Sequence, residues 1–324
     1  MTPNTRPPQP QPVLTPLSPS AIFLVLTIRP HGEETVRGLL ADLGDLQKAV
    51  GFRNPDAQLA CVTGIGSAAW DRLFPGPGPR HLHPFQAIKG EKHEAPATQG
   101  DLLFDIRARQ FDLCFDLASL LVGRLAGAAD VAEEVHGFRY FDARDLLGFV
   151  DGTANPIGDD AVDAALIGDE DPLFRGGSYA VTQKYLHAVP EWNTLTVEQQ
   201  ENIIGRTKLD NIELTDAIPS HVTINTIEDA DGTEHDIVRD NMPFGRVGSD
   251  EYGTYFIGYV ADPAVIERML QRMFVGEPPG NYDRTLDFST AVSGSLFFIP
   301  SATMLDVPPS GASLGGDQGT HPPQ

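Results

Sequence analysis

Cysteine is nearly absent: Cys61 and Cys114 are the only two in 324 residues. Both sit in apolar stretches and make no C-x-x-C pair, which excludes a disulfide framework and a cysteine zinc site. They read as buried thiols in a reducing compartment. Basic residues are also scarce, 23 against 45 acidic ones, for a net charge of -22. That balance opposes non-specific binding to nucleic acid or anionic lipid. Long apolar runs are missing too. The first, Ala21 to Ile28, is one strand long, has no basic lead-in and no small-residue cleavage pattern, so it suits neither a signal peptide nor a membrane span. A cytoplasmic protein with no nucleic-acid or membrane partner is expected. Tryptophan is limited to Trp70 and Trp192.

What is present reads as a globular body between two polar ends. Residues 1–18 are Pro- and Gln-rich and are expected to form a disordered arm; residues 308–324, rich in Gly and Pro, a disordered tail. Between them, Ala21–Ile28 reads as a central strand and Gly32–Val50 as a helix, from Val36, Leu39, Leu40, Leu43 and Leu46 at helical spacing. Leu59–Ile65 is a second strand, leading into a short helix from Ser67. Leu102–Ala108 is a strand. Phe111–Leu125 is an amphipathic helix with Phe111, Cys114, Phe115, Ala118 and Leu121 on one side. Val135–Phe141 is a further strand. After residue 146 come strands at Ser178–Ala188, His221–Ile227, Tyr252–Val260 and Ser295–Ile299, a helix from Thr196 as N-cap to Arg206, and a helix over Pro263–Phe274. Asp231-Gly232 is a hairpin-type turn. This alternation predicts an α+β fold with helices packed on a sheet, divided into an N-terminal unit, 19–145, and a C-terminal unit, 146–307.

Three stretches carry chemistry. Gly148-Phe-Val-Asp-Gly-Thr-Ala-Asn-Pro156 presents one carboxylate, Asp151, in a glycine-bounded turn closed by proline. Taken alone, an Asp-Gly pair is most simply an Asx-type turn. Most of the nine histidines sit in polar loops; His31, His81, His83, His93 and His235 read as solvent-facing. His221 follows Pro219-Ser220 at the start of an apolar segment, from which rigid backbone can aim it into a cavity. In Ile237-Val-Arg-Asp-Asn-Met-Pro-Phe-Gly245, strand alternation puts Arg239 and Asn241 on one face.

Together these stretches, in this order, resemble the dye-decolourising peroxidase family, most closely its compact bacterial B-type branch. The resemblance runs from about Ala21 to Pro300 and includes Tyr252-Gly-Thr-Tyr-Phe-Ile-Gly258 and Leu286-Asp-Phe-Ser-Thr290. It implies two ferredoxin-like units, antiparallel sheets with packed helices, forming the family's β-sandwich core. It also implies one non-covalent haem b per chain, held in the C-terminal unit. By the same resemblance His221 is the proximal iron ligand, Asp151 and Arg239 are the distal catalytic residues, and Asn241 is their neighbour. The activity it implies is reduction of hydrogen peroxide through high-valent iron, with oxidation of small aromatic or dye-like donors. The alternative is a haem-handling protein with incidental peroxidase activity.

Around these positions, Asp287 is the candidate carboxylate for the other ring nitrogen of His221. Arg206 is the candidate partner of a propionate. Gly152, Thr153, Phe256 and Met273 are expected to line the macrocycle, and surface Tyr or Trp residues to relay electrons from bulky donors. Homo-oligomers are common in the family. Some B-type relatives enter encapsulin shells through a C-terminal peptide, to which Ser310-Gly-Ala-Ser-Leu-Gly-Gly316 is faintly similar.

Overall fold

The computed structural model describes residues 8–215 and 219–306. Its first half is strand β1 (Ser20–Ile28), helix α1 (Glu33–Gly51), β2 (Ala60–Gly66), α2 (Ser67–Leu73), β3 (Leu102–Ala108), α3 (Phe111–Arg124) and β4 (Ala129–Phe138). The strands lie in the order β2-β3-β1-β4, all antiparallel, which is the ferredoxin-like arrangement. β1 is continuously apolar over Ala21–Leu26 because it is central: these residues are buried whichever side they face.

The second half repeats the pattern with β5 (Ser178–His187), the short strands β6 (Val238–Arg239) and β7 (Met242–Arg246), β8 (Glu251–Val260), helix α6 (Ala264–Phe274), β9 (Ser289–Ala291) and β10 (Ser295–Ile299). Between β5 and β6 lie helices α4 (Val197–Ile204) and α5 (His221–Asn225). The order β10-β5-β8-β6 is again ferredoxin-like. The halves join through β10 and β2, where Phe297 pairs with Gly66 and Phe298 with Ile65, making one 10-stranded sheet. Its far ends also meet. A Cβ added to Gly137 on β4 would lie 2.7 Å from the Cβ of Met242 on β7, so glycine permits the approach.

One sheet face holds Phe23, Val25, Val62, Leu103, Tyr255, Ile257, Phe297 and Ile299. The other is covered by α1, α2, α3 and α6 through residues such as Leu39, Leu43, Trp70, Leu117, Leu121 and Leu270. Within the first face a buried ionic cluster spans the halves. The Arg107 Nε donates to both oxygens of Asp105 at 2.8 and 2.9 Å, and its Nη2 to the backbone carbonyl of Asp240 at 2.6 Å. The Tyr259 hydroxyl donates to Asp105 at 2.6 Å. These bonds offset the cost of burying the charges.

Four expectations need correction. Residues 8–18 are not a free arm: Val13 is buried, and the Gln11 side chain bonds the N–H and C=O of Thr63 and the carbonyl of Pro300. Residues 1–7 and 308–324 lie outside the described residues. The apolar face of α3 is rotated, with Leu117 fully buried while Phe111 and Phe115 are exposed. The fourth strand is Ala129–Phe138 rather than Val135–Phe141. Finally, His221–Asn225 is helical. Ser220 accepts from the N–H of Thr223 while the Thr223 hydroxyl accepts from the N–H of Ser220, a capping box that overrides the β-branched residues after it. The helix expected from Thr196 is present as α4, where Thr196 forms a capping box with Gln199.

Candidate functional site

On the outer face of the second half a cavity of about 330 Å³ opens between α5, α6, the strands β5, β6 and β8, and the loop that begins at Asp145. Apolar walls come from Leu147, Phe149, Ile237, Phe256, Met269, Leu270 and Met273. The exposed surface is mainly apolar, but polar and ionisable side chains line it on several sides, among them Asp145, Asp151, Gln183, His187, Arg206 and His221.

The loop wall carries Asp151. Asp145 organises its start, its carboxylate accepting from the N–H of Phe149 at 2.9 Å. Gly148 has φ of +95°, a left-handed backbone conformation that L side chains rarely adopt, so glycine suits the turn. The Asp151 carboxylate accepts from the N–H of Gly152 at 2.7 Å and from the amide of Asn241 at 3.1 Å. Arg239 and Asn241 share a face as alternation predicts, while Asp240 between them turns to the interior and Arg107. The Arg239 Nε is buried with no hydrogen-bond partner among the described residues. Asn155, four residues after Asp151, exchanges two hydrogen bonds with the backbone of Arg239.

His221 enters from a separate wall, on α5. Its Nδ1 lies 2.6 Å from Oδ2 of Asp283, and its backbone carbonyl accepts from the Asn225 amide at 2.8 Å. Asp283 is fully buried, and its other oxygen accepts from the N–H and hydroxyl of Thr285 at 2.9 and 2.7 Å. Burial alone would lower the pKa of His221, but the charge and hydrogen bond of Asp283 outweigh it and hold the imidazole above its ordinary value. Burial would raise that of Asp283, yet His221 and Thr285 keep it low. With Nδ1 committed to Asp283, Nε2 is the nitrogen left for a ligand.

The expected partner of His221, Asp287, is therefore replaced by Asp283. Asp287 lies outside the cavity and accepts from Tyr282, Arg284 and His93 at 2.9, 3.0 and 3.1 Å. Asp283 caps one turn of 3-10 helix, Arg284–Asp287, and Asp287 is its last residue, so the direction of that turn decides between them. The Asp283-x-Thr285 cap was the available signal. The other expected residues, Arg206, Gly152, Thr153, Phe256 and Met273, all line the cavity. Arg206 is held by Glu213 and the carbonyl of Asn211 at 2.8 and 3.0 Å. Thr153 accepts from the Asn211 amide at 2.8 Å.

Sequence reading missed several lining residues. His187 is held between the hydroxyls of Ser289 and Thr254 at 2.8 and 2.9 Å, and burial pushes its pKa down to about 4. Asp145 is pushed up to about 6 by burial, against the Phe149 N–H and with the nearby Asp151 charge adding. Tyr185 donates to Gln183 at 2.7 Å, and the buried Gln183 Nε2 has no partner among the described residues. Three histidines expected to face solvent are engaged instead: His83 with Glu267 at 2.7 Å, His93 with Asp287, and His235, which lines the cavity, with Asp229 at 2.7 Å. Both tryptophans are buried, Trp192 edge-on to Phe149 behind the cavity. Neither is a surface donor site.

Among the described residues no group of three or more His, Cys, Asp or Glu converges to hold a bare metal ion. No described helix is long and apolar enough to cross a membrane.

Comparison with known proteins gives a consistent answer. The family model for the N-terminal part of Dyp-type peroxidases matches residues 10–139, and that for the C-terminal part matches residues 142–304. A dye-decolorizing peroxidase of Rhodococcus erythropolis is 60% identical over 303 residues, covering 93% of this chain and 89% of the relative. The encapsulated DyP-type peroxidase of Mycobacterium smegmatis, solved by cryo-EM, superposes with a TM-score of 0.91 at 58% identity, covering 93% of this chain and 99% of the other. A variant of Rhodococcus jostii DypB in complex with heme superposes with a TM-score of 0.90 at 59% identity, covering 92% and 98%.

Proposed function

The chain belongs to the Dyp-type peroxidase family, and from that premise we propose that it is a peroxidase with one non-covalent haem b. It reduces hydrogen peroxide and oxidises small aromatic or dye-like donors. The observation that carries this reading is the pairing of His221 with buried Asp283 on one wall of an apolar cavity and Asp151, Arg239 and Asn241 on another.

The residues present fit the cofactor. The exposed wall surface is mainly apolar, the His221 Nδ1 is already taken, and the buried Nε of Arg239 has no partner among the described residues. When bound, the haem supplies a redox-active iron with one coordination position open to peroxide. His221 would hold it through Nε2, and Asp283 fixes the ring and makes it a stronger donor. Arg206 would meet a propionate, and Gly152, Thr153, Phe256 and Met273 would line the macrocycle.

On the peroxide side, Asp151 would take the proton from one peroxide oxygen and hand it to the other, so that the latter can leave as water, the two electrons for cleavage being what the bound haem would supply. Arg239, permanently cationic, stabilises the negative charge that develops on the peroxide and lowers its pKa. Asn241 holds the Asp151 carboxylate in place through its amide. The test is spectral: purified protein should show a Soret band that changes promptly on mixing with peroxide. Asp151→Ala or Arg239→Ala should slow that change without removing the band. Normal haem binding with no peroxide turnover would overturn the reading.

The same family reading supports a cytoplasmic homo-oligomer built from units 19–145 and 146–307. The Mycobacterium smegmatis neighbour is an encapsulated protein, and we extend that to this chain through its tail after Pro308. Deleting the tail should then abolish association with a co-expressed encapsulin shell.

A further inference from the structure

The distal groups arrive from distant parts of the chain, Asp151 on a loop and Arg239 with Asn241 on β6 and the residues after it. Their relative position depends on whatever joins loop to strand. One link is the Asn241 amide, 3.1 and 3.4 Å from the two oxygens of Asp151. The other is shorter and runs both ways. The Asn155 Nδ2 donates to the Arg239 carbonyl at 2.7 Å, and the Arg239 N–H donates to the Asn155 Oδ1 at 3.0 Å.

β6 has two residues and lies at the end of the sheet order. One edge pairs with β8; on the other, the N–H and C=O of Arg239 have no neighbouring strand among the described residues. The Asn155 amide presents one acceptor and one donor there, as a strand would. The next peptide is fixed as well, since the Asp240 N–H donates to Ile257 at 3.0 Å and its carbonyl accepts from Arg107 at 2.6 Å. Asn155 is itself tied into the Asp151 loop, its N–H donating to the carbonyl of Gly152 at 3.2 Å. A shift of the loop relative to β6 is thus resisted directly at the Asn155 side chain.

We propose that Asn155 is a positioning residue that sets the separation between Asp151 and Arg239, a role that rests on the peroxidase reading above. It is not among the residues that line the cavity. It acts by replacing a missing strand with a two-way amide clamp.

The test uses the haem-loaded enzyme with two substitutions. Asn155→Ala removes both bonds and should lower kcat/KM for peroxide by about 10- to 100-fold, the scale of a misplacement near 1 Å. Haem content and the Soret position should stay as in the wild type, while hydrogen exchange at the Arg239 amide accelerates. Asn155→Asp adds a signature that general loosening does not produce. Its carboxylate accepts from the Arg239 N–H but cannot donate to the carbonyl, whereas the protonated acid does both. Its defect relative to wild type should therefore shrink as pH falls, while that of Asn155→Ala keeps a constant ratio. Unchanged kcat/KM and unchanged amide protection in Asn155→Ala overturn the proposal, as does a pH-independent Asn155→Asp defect. Should Asn155→Ala fail to retain haem, the Asn155→Asp profile decides alone. A wild-type enzyme inert to peroxide would instead defeat the peroxidase reading, and exchange at Arg239 would still report whether the clamp exists.

Discussion

The two halves of the molecule share one strand order and differ in how the chain continues beyond the first strand of each. In the N-terminal half β1 leads into a single helix of 19 residues, which lays Val36, Leu39, Leu40 and Leu43 on the sheet beside Cys114, Leu117 and Leu121 of α3. In the C-terminal half β5 leads into helices of 4, 8 and 5 residues and then into short strands. These short pieces cannot cover the sheet as α1 does, and a cavity of about 330 Å³ remains beneath them. The same scaffold therefore gives a filled core where one long amphipathic helix is present and a ligand site where it is broken up. His221 sits on one of the fragments. The filled half also supports the site, since Arg107 reaches across to the carbonyl of Asp240.

That contrast can be broken most completely at His221. His221→Ala should abolish the Soret band of the purified protein while its far-ultraviolet circular dichroism stays native, because α5 is held by the Ser220/Thr223 capping box and not by the imidazole. Loss of folded structure instead would show that the cavity half depends on its ligand for folding. The matching change in the filled half is Leu117→Ala, at a fully buried position. It should cost about 2–5 kcal/mol in denaturant unfolding, with haem content and peroxide turnover retained. Any parallel loss of haem would mean that the halves are more tightly coupled than their cores suggest.

Asp283→Asn, a smaller change, leaves the cavity shape intact and removes the charge behind His221. Haem retention or turnover should fall about 10- to 100-fold, measured by haem transfer to an acceptor protein, whereas Asp287→Asn should leave both near wild type. The smallest effect is a pH dependence at His187. Its folded pKa of about 4 lies below its ordinary value, so below the ordinary value the unfolded chain binds the proton first. The neutral, buried ring is fully favourable above about pH 6.5, and stability drains away as pH falls from there to about 4, at no more than about 1.4 kcal/mol per pH unit. Urea unfolding across that range should show the wild type losing more than His187→Gln. Asp145 and Asp240, both pushed up to about 6 by burial, act in the opposite direction over the same range in both proteins, so they cancel in the difference.

Much of this was legible in the residues because the signals were local. Leu102–Ala108 and Ser295–Ile299 are strands with the expected bounds, since short segments rich in β-formers and bounded by turn formers leave few other uses. The faces of Arg239 and Asn241 came from strand alternation alone. The helix at His221 was a competition between two local signals, β-branched residues against a Ser-x-x-Thr cap, and the cap prevailed.

By itself, then, the sequence determined the rhythm of strands and helices, the acidic and cysteine-poor character, and the motif residues Asp151, His221, Arg239 and Asn241 with the family they indicate. Only the tertiary structure decided which carboxylate stands behind His221, that Asn155 clamps Arg239, that Arg107 braces Asp240 from the other half, and that Gln11 is packed rather than free. The physical reason is range. Periodicity and capping are settled among near neighbours in the chain, whereas these partners lie 62, 84, 133 and 289 residues apart, and no local pattern encodes a contact that exists only once the sheet has closed.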